Sequence, residues 1–432
     1  MRRNTRYFTA AVITAAALSL TACASGGSSD AASGATGDVA MTFWHNSTTG
    51  DGKAFWEQAA ADFMAANPGV SITVQPVQNE DLDGKLQTAM NSGDAPSAFL
   101  ARGGGKLKDM VEAGQVMDIT DLITDETKSV ISEAAFSALT IDDKVYGIPT
   151  SVLPGGIYYS KDLFAQAGIT STPTTMEELS AAVDKLKAAG IQPIALGAKD
   201  AWPAAHWFYF FALRECPQDV FVTASAEGDF SDPCWLKAGE DLQGFAGTEP
   251  FNSGFLTTSA QQGAGSSAGL IANHQAAMEL MGAWNVGVIA DLTPDKQPLA
   301  DLGWFPFPEV KGGKGDPKAI MGGLDAFACS ADAPKECADF LNFVVQTKYQ
   351  ELYADAFETL PANTEAQSVV KQDALKDILN AYNDAAYVSV WLDTLLGQNV
   401  GNALNVGVVD MLAGKGNAQG IIDAANAAAA KE

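Results

Sequence analysis

The stretch Val39–Val77, VAMTFWHNSTTGDGKAFWEQAAADFMAANPGVSITVQPV, decides the fold. Val39–Trp44 is a short apolar run with branched and aromatic side chains, the composition of a buried strand. From Lys53 to Ala66 the apolar residues fall at Phe55, Trp56, Ala59, Ala60, Phe63 and Met64, which line one face of a helix. Asn67-Pro68-Gly69 ends that helix, because proline cannot continue the hydrogen-bond ladder and glycine accepts the turn conformation. Ser71–Val77 alternates as a second strand. A helix over Asp81–Met90 and a strand over Ser97–Leu100 extend the pattern. The order β-α-β-α-β predicts mostly parallel strands covered by helices, since parallel neighbours need a long crossover.

Toward the N-terminus, Arg2, Arg3 and Arg6 precede an apolar run from Phe8 to Leu20. The run is shorter than the ~20 residues that span a bilayer and reads as a secretory signal. It ends in Leu20-Thr21-Ala22-Cys23, which resembles the lipobox of bacterial lipoproteins. That resemblance implies a signal peptide over 1–22, lipid attachment at Cys23 and a flexible anchor and linker over 23–38. Residues 24–37 are nearly all Ser, Gly, Ala and Thr, a composition that cannot bury enough apolar surface to offset ordering entropy.

With 432 residues, two domains are the expectation, and 47% hydrophobic content is ample for large cores. The formal charge of −26 argues against nucleic acid and against a polybasic membrane contact. Cys216, Cys234, Cys329 and Cys337 remain after Cys23, an even number in a chain bound for an oxidising compartment. Cys216–Cys234 with Cys329–Cys337 is the simplest of the three possible connectivities. A metal site is the rival reading; it has no Cys-x-x-Cys and only three histidines to draw on, and no metal is expected.

A second α/β region opens after Tyr146-Gly147-Ile148-Pro149-Thr150. Thr175 and Glu178 have the spacing of a capping box for a helix running to Ala189. Ile191–Leu196 reads as a strand. Gly263–Gly269 reads as a loop before a helix over Ala272–Met281. Ala333–Val345 reads as a helix with Pro334 in its first turn, and the last helix begins near Ala418.

Taken together, several blocks resemble the extracellular solute-binding proteins of carbohydrate ABC importers, the maltose-binding-protein class. They are the opening stretch, KLQTAMNSGDAPSAFLARGG (Lys85–Gly104), DDKVYGIPTSVLPGGIYYSKDLFAQAGI (Asp142–Ile169), AAMELMGAWNVGVI (Ala276–Ile289) and MGGLDAFACSADAPKECADFLNFV (Met321–Val344). In one position Ala95-Pro96-Ser97 replaces the commoner Ala-Pro-Asp. The opening and Gly103-Gly104-Gly105-Lys106 are most similar to xylobiose and xylo-oligosaccharide binders of high-GC Gram-positive bacteria. The resemblance implies an α/β, two-lobed periplasmic-binding-protein-like fold, each lobe a mostly parallel sheet flanked by helices. It implies an N-terminal lobe of 39–147 plus 324–360 and a C-terminal lobe of 148–323 plus 361–432. Three hinge crossings are expected near Ile148-Pro149, Gly322-Gly323 and Leu360-Pro361. It also implies a monomer without cofactor, lipid-anchored on the extracellular face of the cytoplasmic membrane of a Gram-positive bacterium. Its partners are an oligosaccharide and the transmembrane subunits of an ABC permease.

A sugar offers apolar C–H faces and a rim of hydroxyls, so flat aromatics and paired polar groups are the expected contacts. Of eight tryptophans, Trp284 is the first candidate platform, with Trp202 and Trp391 next. Trp56, Trp44 and Trp304 are assigned to the core. Polar candidates come from strand ends, where open α/β sheets bind ligands: His45, Asn46, Ser47, Asn79, Glu80 and Arg102. Asn285 beside Trp284, and Gly323 and Asp325 near a crossing, complete the set. The three glycines after Arg102 are read as letting a ligand approach the backbone, and His206 as a packed core residue. Tyr158-Tyr159 is also met in ferric-ion binders of this fold class, but fits an ordinary strand end. Gly103–Lys106 lacks the spacing of a phosphate loop. A secreted glycoside hydrolase is the rival of another class. It needs two carboxylates ~5–9.5 Å apart, and nothing in the sequence singles out such a pair.

Overall fold

The computed structural model describes residues 38–431. The calls on the signal peptide, Cys23 and most of the linker therefore lie outside the described residues. The strands are β1 (Val39–His45), β2 (Val70–Pro76), β3 (Ala98–Ala101), β4 (Thr140–Ile141), β5 (Lys144–Val145), β6 (Ile148–Ser160), β7 (Gln192–Ile194), β8 (Ala276–Gly282), β9 (Leu302–Phe305), β10 (Ile320–Cys329), β11 (Leu360–Pro361) and β12 (Val388–Val390). They form one large sheet in the order β2-β1-β3-β10-β6-β8-β7, with β11 and β9 also on β6 and β12 on β10; β4 and β5 pair separately.

The β-α-β-α-β opening is present. Strands β1, β2 and β3 are parallel, with Met41 beside Ile72 and Phe43 beside Ala98. The first helix, Gly50–Ala66, buries Phe55, Trp56, Ala59, Ala60 and Phe63, the face read from the spacing. Gly69 has a φ of 97°, left-handed backbone that explains a glycine at the turn into β2.

Two lobes arise from two long strands. The first half of β6 pairs antiparallel with β10, Leu324 beside Val152 and Gly323 beside Leu153. Its second half pairs with β8 and β9, Tyr158 beside Glu279 and Trp304. Strand β10 likewise joins β12 at Ile320–Gly322 and β3 at Ala326–Cys329. Strand β11 lies on β6 at Val152 and Ser151. The three expected crossings thus fall on β6, β10 and β11, which are adjacent. Antiparallel pairing enters the sheet through these crossing strands, which a βαβ pattern does not predict.

Several local readings change. Ala276–Gly282 is a wholly buried strand, preceded by a short helix at Ser267–Ala272, where the apolar run suggested one helix. A short run buried on every side carries no periodicity that separates helix from strand. Thr175 caps its helix by accepting from the Glu178 N–H, yet the Glu178 carboxylate turns to the Thr174 N–H and hydroxyl. Pro334 lies before the helix Glu336–Val344 and not in its first turn. Both disulfides join sequence-near partners, Cys216–Cys234 with Cα atoms 5.2 Å apart and Cys329–Cys337 at 6.0 Å. Among the described residues no helix is long and apolar enough to cross a membrane.

Candidate functional site

Three segments far apart in sequence bring the candidate tryptophans together. Trp202 opens the helix Trp202–Glu215, Trp284 follows β8, and Trp391 follows β12. The Trp202 and Trp284 rings are 6.1 Å apart, and Trp284 and Trp391 6.0 Å. His206 sits among them, stacked on Trp391 at 4.0 Å and 13°, with Trp202 at 5.1 Å. Trp391 and His206 are buried, while Trp202 and Trp284 are partly open. The indole N–H of each of the three tryptophans has no hydrogen-bond partner among the described residues, and neither has Nδ1 of His206. An indole N–H normally finds an acceptor when buried, so three free donors in one cluster suit a ligand rich in oxygen. Trp207, Trp235 and Trp304 also leave this group unpaired, so the juxtaposition, and not the unpaired donor alone, marks the cluster.

Missing Cβ atoms make this arrangement possible. A Cβ on Gly155 would lie 2.4 Å from the Trp391 ring, and one on Gly323 2.6 Å from it. A Cβ on Gly282 would lie 2.0 Å from Trp284. Gly322 and Gly323 keep ordinary strand backbone in β10. Gly323 is glycine because an indole lies on it, and Gly322 because the Pro154 backbone is 2.9 Å from where its Cβ would be.

The polar candidates of the first lobe form a second group. Asn79 accepts from Arg102 and, at 3.5 Å, from the Asn46 amide. Arg102 is 3.7 Å from Asp83, which also holds Lys106 at 2.8 Å. Burial alone would lower the pKa of Arg102, but Asp83, Asp325, Asp393 and Glu80 outweigh it and raise the value. Burial raises the pKa of Asp325 against the pull of Arg102. Glu80 accepts from Gln262 at 3.1 Å, a bond between the first helix turn after β2 and the loop before Ser267. Gln262 also donates to Gln78 at 3.3 Å.

Asp393 links the two groups. It acts electrostatically on both Arg102 and His206, and Asn405, which accepts from the Tyr209 hydroxyl at 2.6 Å, donates to it at 3.4 Å. Burial lowers the pKa of His206 to about 4 against the opposing pull of Asp393, so the ring is neutral at pH 7. The reading of His206 as a packed residue agrees with its burial, though it did not give its place beside the tryptophans; Asp393 and Gln262 were missed. His206 lies four residues after Trp202, one helical turn, and Asp393 two after Trp391, but neither spacing distinguishes a site from a core.

Two candidates lie elsewhere. His45 is wholly buried between Phe43 and Trp56; its Nδ1 accepts from the Ser47 N–H at 3.1 Å, and burial, then Lys53, lowers its pKa to about 3. Its place is behind the strand end, orienting Ser47, which is partly open. Asn285 is fully buried and donates to Glu279 at 2.8 Å. The glycines after Arg102 also serve another purpose. A Cβ on Gly103 would meet the Ala138 carbonyl at 2.4 Å, and Cβ atoms on Gly104 and Gly105 the backbone of 394–397 at 2.8 and 2.5 Å. They admit neighbouring chain, where a ligand approach was expected. Tyr158 donates to the Gly282 carbonyl at 3.0 Å, and Tyr159 packs on Phe164 and Phe305, so the tyrosine pair does not converge. Asp162, His274 and Asp301 approach one another at the surface, with His274 Nε2 3.0 Å from Asp301.

Two lobes joined by adjacent strands, with aromatic and charged side chains gathered at their junction, define a binding protein of the hinged two-lobed class. The chain belongs to the bacterial extracellular solute-binding proteins, whose family model matches residues 27–351. It is 31% identical over 209 residues to a binding protein of Brucella abortus, covering 48% of this chain and 50% of that one. The chain thus spans about half the length of the curated relatives it matches at that identity. It is 24% identical over 372 residues to the diacetylchitobiose binding protein of Streptomyces coelicolor, covering 83% of this chain and 82% of that one. A solved structure from work on xylan utilisation by Caldanaerobius polysaccharolyticus superposes with a TM-score of 0.82 at 24% identity, covering 90% of this chain and 99% of that one.

Proposed function

We propose that this protein is the substrate-binding component of an ABC importer and captures a short neutral oligosaccharide between its lobes, with xylobiose or a xylo-oligosaccharide the first choice. The observation that carries the reading is the Trp202–Trp284–Trp391 cluster with its unpaired indole donors. Trp284 and Trp202 supply faces for pyranose rings, and Asn46, Ser47, Asn79, Glu80, Arg102, Gly323 and Asp325 supply the hydroxyl rim. The lobes divide at 147/148, 323/324 and 360/361, and closure brings the two groups onto the sugar. The partners are the permease subunits; the protein acts as a monomer and performs no catalysis. The similarity to a structure studied for xylan utilisation supports a xylan-derived ligand. A second reading, a chito-oligosaccharide, draws on the similarity to the Streptomyces coelicolor diacetylchitobiose binder.

Calorimetric titration against xylo-, malto-, cello-, galacto- and chito-oligosaccharides tests the assignment. Binding of a xylo-oligosaccharide tighter than any other supports it; preference for chitobiose moves it to the second reading. Release of reducing ends on prolonged incubation would favour a hydrolase instead. Lipid attachment at Cys23, on the extracellular face of a Gram-positive cytoplasmic membrane, is part of the same proposal. Cys23→Ala protein should leave the detergent phase in which the unaltered protein partitions.

A further inference from the structure

The turn that opens the Trp202 helix departs from ordinary backbone at one residue. Ala201 has φ 63° and ψ −53°, a conformation that a residue with a Cβ adopts only when its surroundings impose it. Its N–H donates to the Ala198 carbonyl at 3.2 Å, and its own carbonyl accepts from the Ala204 and Ala205 N–H groups at 3.0 and 3.2 Å. Asp200 stands immediately before it. A carboxylate there could serve as a helix cap, but the helix Trp202–Glu215 has no side-chain cap. The Asp200 Oδ2 accepts instead from the Ala260 N–H at 2.7 Å.

Ala260 is wholly buried, and a Cβ on Gly197 would lie 2.6 Å from its Cα, so this segment lies directly on the 197–200 turn. The Lys199 N–H donates to the Thr258 carbonyl at 3.1 Å. The Ala260 carbonyl is held as well, by the Ala268 N–H at 3.1 Å and the Ser267 hydroxyl at 3.0 Å. Two residues further on, Gln262 donates to Glu80 at 3.1 Å and to Gln78 at 3.3 Å. Asp200 therefore stands two residues before Trp202 and binds the residue two before Gln262.

We propose that Asp200 is a positioning residue of the ligand site: its carboxylate fixes the Trp202 platform and the Gln262 side chain relative to each other, so that a ligand meeting one finds the other in place. Without the carboxylate, the Ala260 N–H is left unpaired in a buried site, which costs more than the bond itself contributes. Ala201 then loses the anchor on its N-terminal side, and the turn relaxes and carries Trp202 with it. The ligand part of this inference rests on the oligosaccharide reading above.

Asp200→Ala removes the acceptor, whereas Asp200→Asn keeps an amide oxygen that can accept from Ala260. Affinities for xylotriose and chitobiose are measured for both variants, for Gln262→Ala and for Asp200→Ala combined with Gln262→Ala, with melting temperatures to show that each is folded. Hydrogen exchange of the sugar-free proteins is followed over 201–205 and 258–263. Asp200→Ala should weaken binding of the preferred sugar by roughly tenfold, the effect of one hydrogen bond to a charged group. It should also quicken exchange in both segments together. The Asn variant should bind and exchange like the unaltered protein, a rescue that loss of a mere surface charge would not show. Adding Gln262→Ala to Asp200→Ala should cost nothing further, because residues acting through one contact are not additive. An Asn variant as weak as the Ala variant, additive losses in the double variant, or exchange that quickens in only one of the two segments overturns the proposal. If neither sugar binds, the sugar assignment fails, while exchange in the sugar-free proteins still decides the link.

Discussion

Trp284 joins β8 to the helix that follows, packs beside Trp202 and Trp391, and has no partner for its indole N–H among the described residues. A platform at a binding hot spot contributes ~2–4 kcal/mol, equivalent to about 30- to 1000-fold in affinity. Trp284→Ala should therefore abolish measurable sugar binding and leave the melting temperature of the free protein nearly unchanged, because the ring is partly open. A large fall in melting temperature with binding retained would place Trp284 in the core. His206 makes a second prediction at this scale. Its pKa is lowered from 6.5 to about 4 by burial. The folded state thus binds fewer protons than the unfolded one across that interval, and stability falls as pH drops through it. His206→Phe keeps an aromatic ring on Trp391 and cannot protonate. Its melting temperature should decline less than that of the unaltered protein between pH 6.5 and 4; an unchanged slope would assign the acid sensitivity elsewhere.

Strands β6 and β10 carry the site as elements. Their glycines at 155 and 323 leave room for the Trp391 indole against the two strands. In Gly323→Ala the new methyl would overlap Trp391 at 2.6 Å, closer than packed atoms tolerate, so the ring must move. The expected outcome is a shifted tryptophan emission and at least tenfold weaker sugar binding, with β10 itself intact by circular dichroism. Unaltered affinity would mean that Trp391 has no part in binding. The disulfides belong to this scale too. Cys216–Cys234 ties the end of the aromatic helix Trp202–Glu215 to the helix Pro233–Ala246, across 18 residues. A loop of that length adds roughly 3 kcal/mol, so Cys216→Ala with Cys234→Ala should lower denaturant stability by about that amount. Peptide mapping without reductant should recover this pair and Cys329–Cys337; mixed pairings would contradict the fold.

For the whole molecule, the proposed function turns on coupling between lobes. Arg102 and His206 both feel Asp393, and Gln262 donates to Glu80. Ligand that touches both groups stabilises the closed arrangement by its differential affinity for it. Small-angle scattering should show a smaller radius of gyration on saturation with the best sugar of the panel. Gln262→Ala should enlarge the sugar-free particle, because exposed hydrogen bonds bias such an equilibrium only modestly but in one direction. Scattering curves indifferent to both sugar and mutation would rule out hinge closure.

What the sequence determined by itself was local and ordinal. The spacing of Phe55, Trp56, Ala59, Ala60 and Phe63 named the buried face of the first helix, since amphipathic periodicity is a property of a dozen neighbouring residues. The β-α-β-α-β order set the parallel start of the sheet, and the Gly and Pro crossings fell on β6, β10 and β11. Of the site, the three tryptophans were legible as candidates, as was the Asn46–Asn79–Arg102 group. Only the tertiary structure decided that Ala276–Gly282 is a strand, because a run buried on all sides has no period to read. Only it showed that Gly103–Gly105 admit neighbouring backbone, and that His45 and Asn285 lie behind the surface. It alone placed His206 among the three tryptophans. That neighbourhood is built by residues up to 189 positions apart, Trp202 and Trp391. Their contact depends on how β6 and β10 pack, a long-range property absent from any local window of the chain.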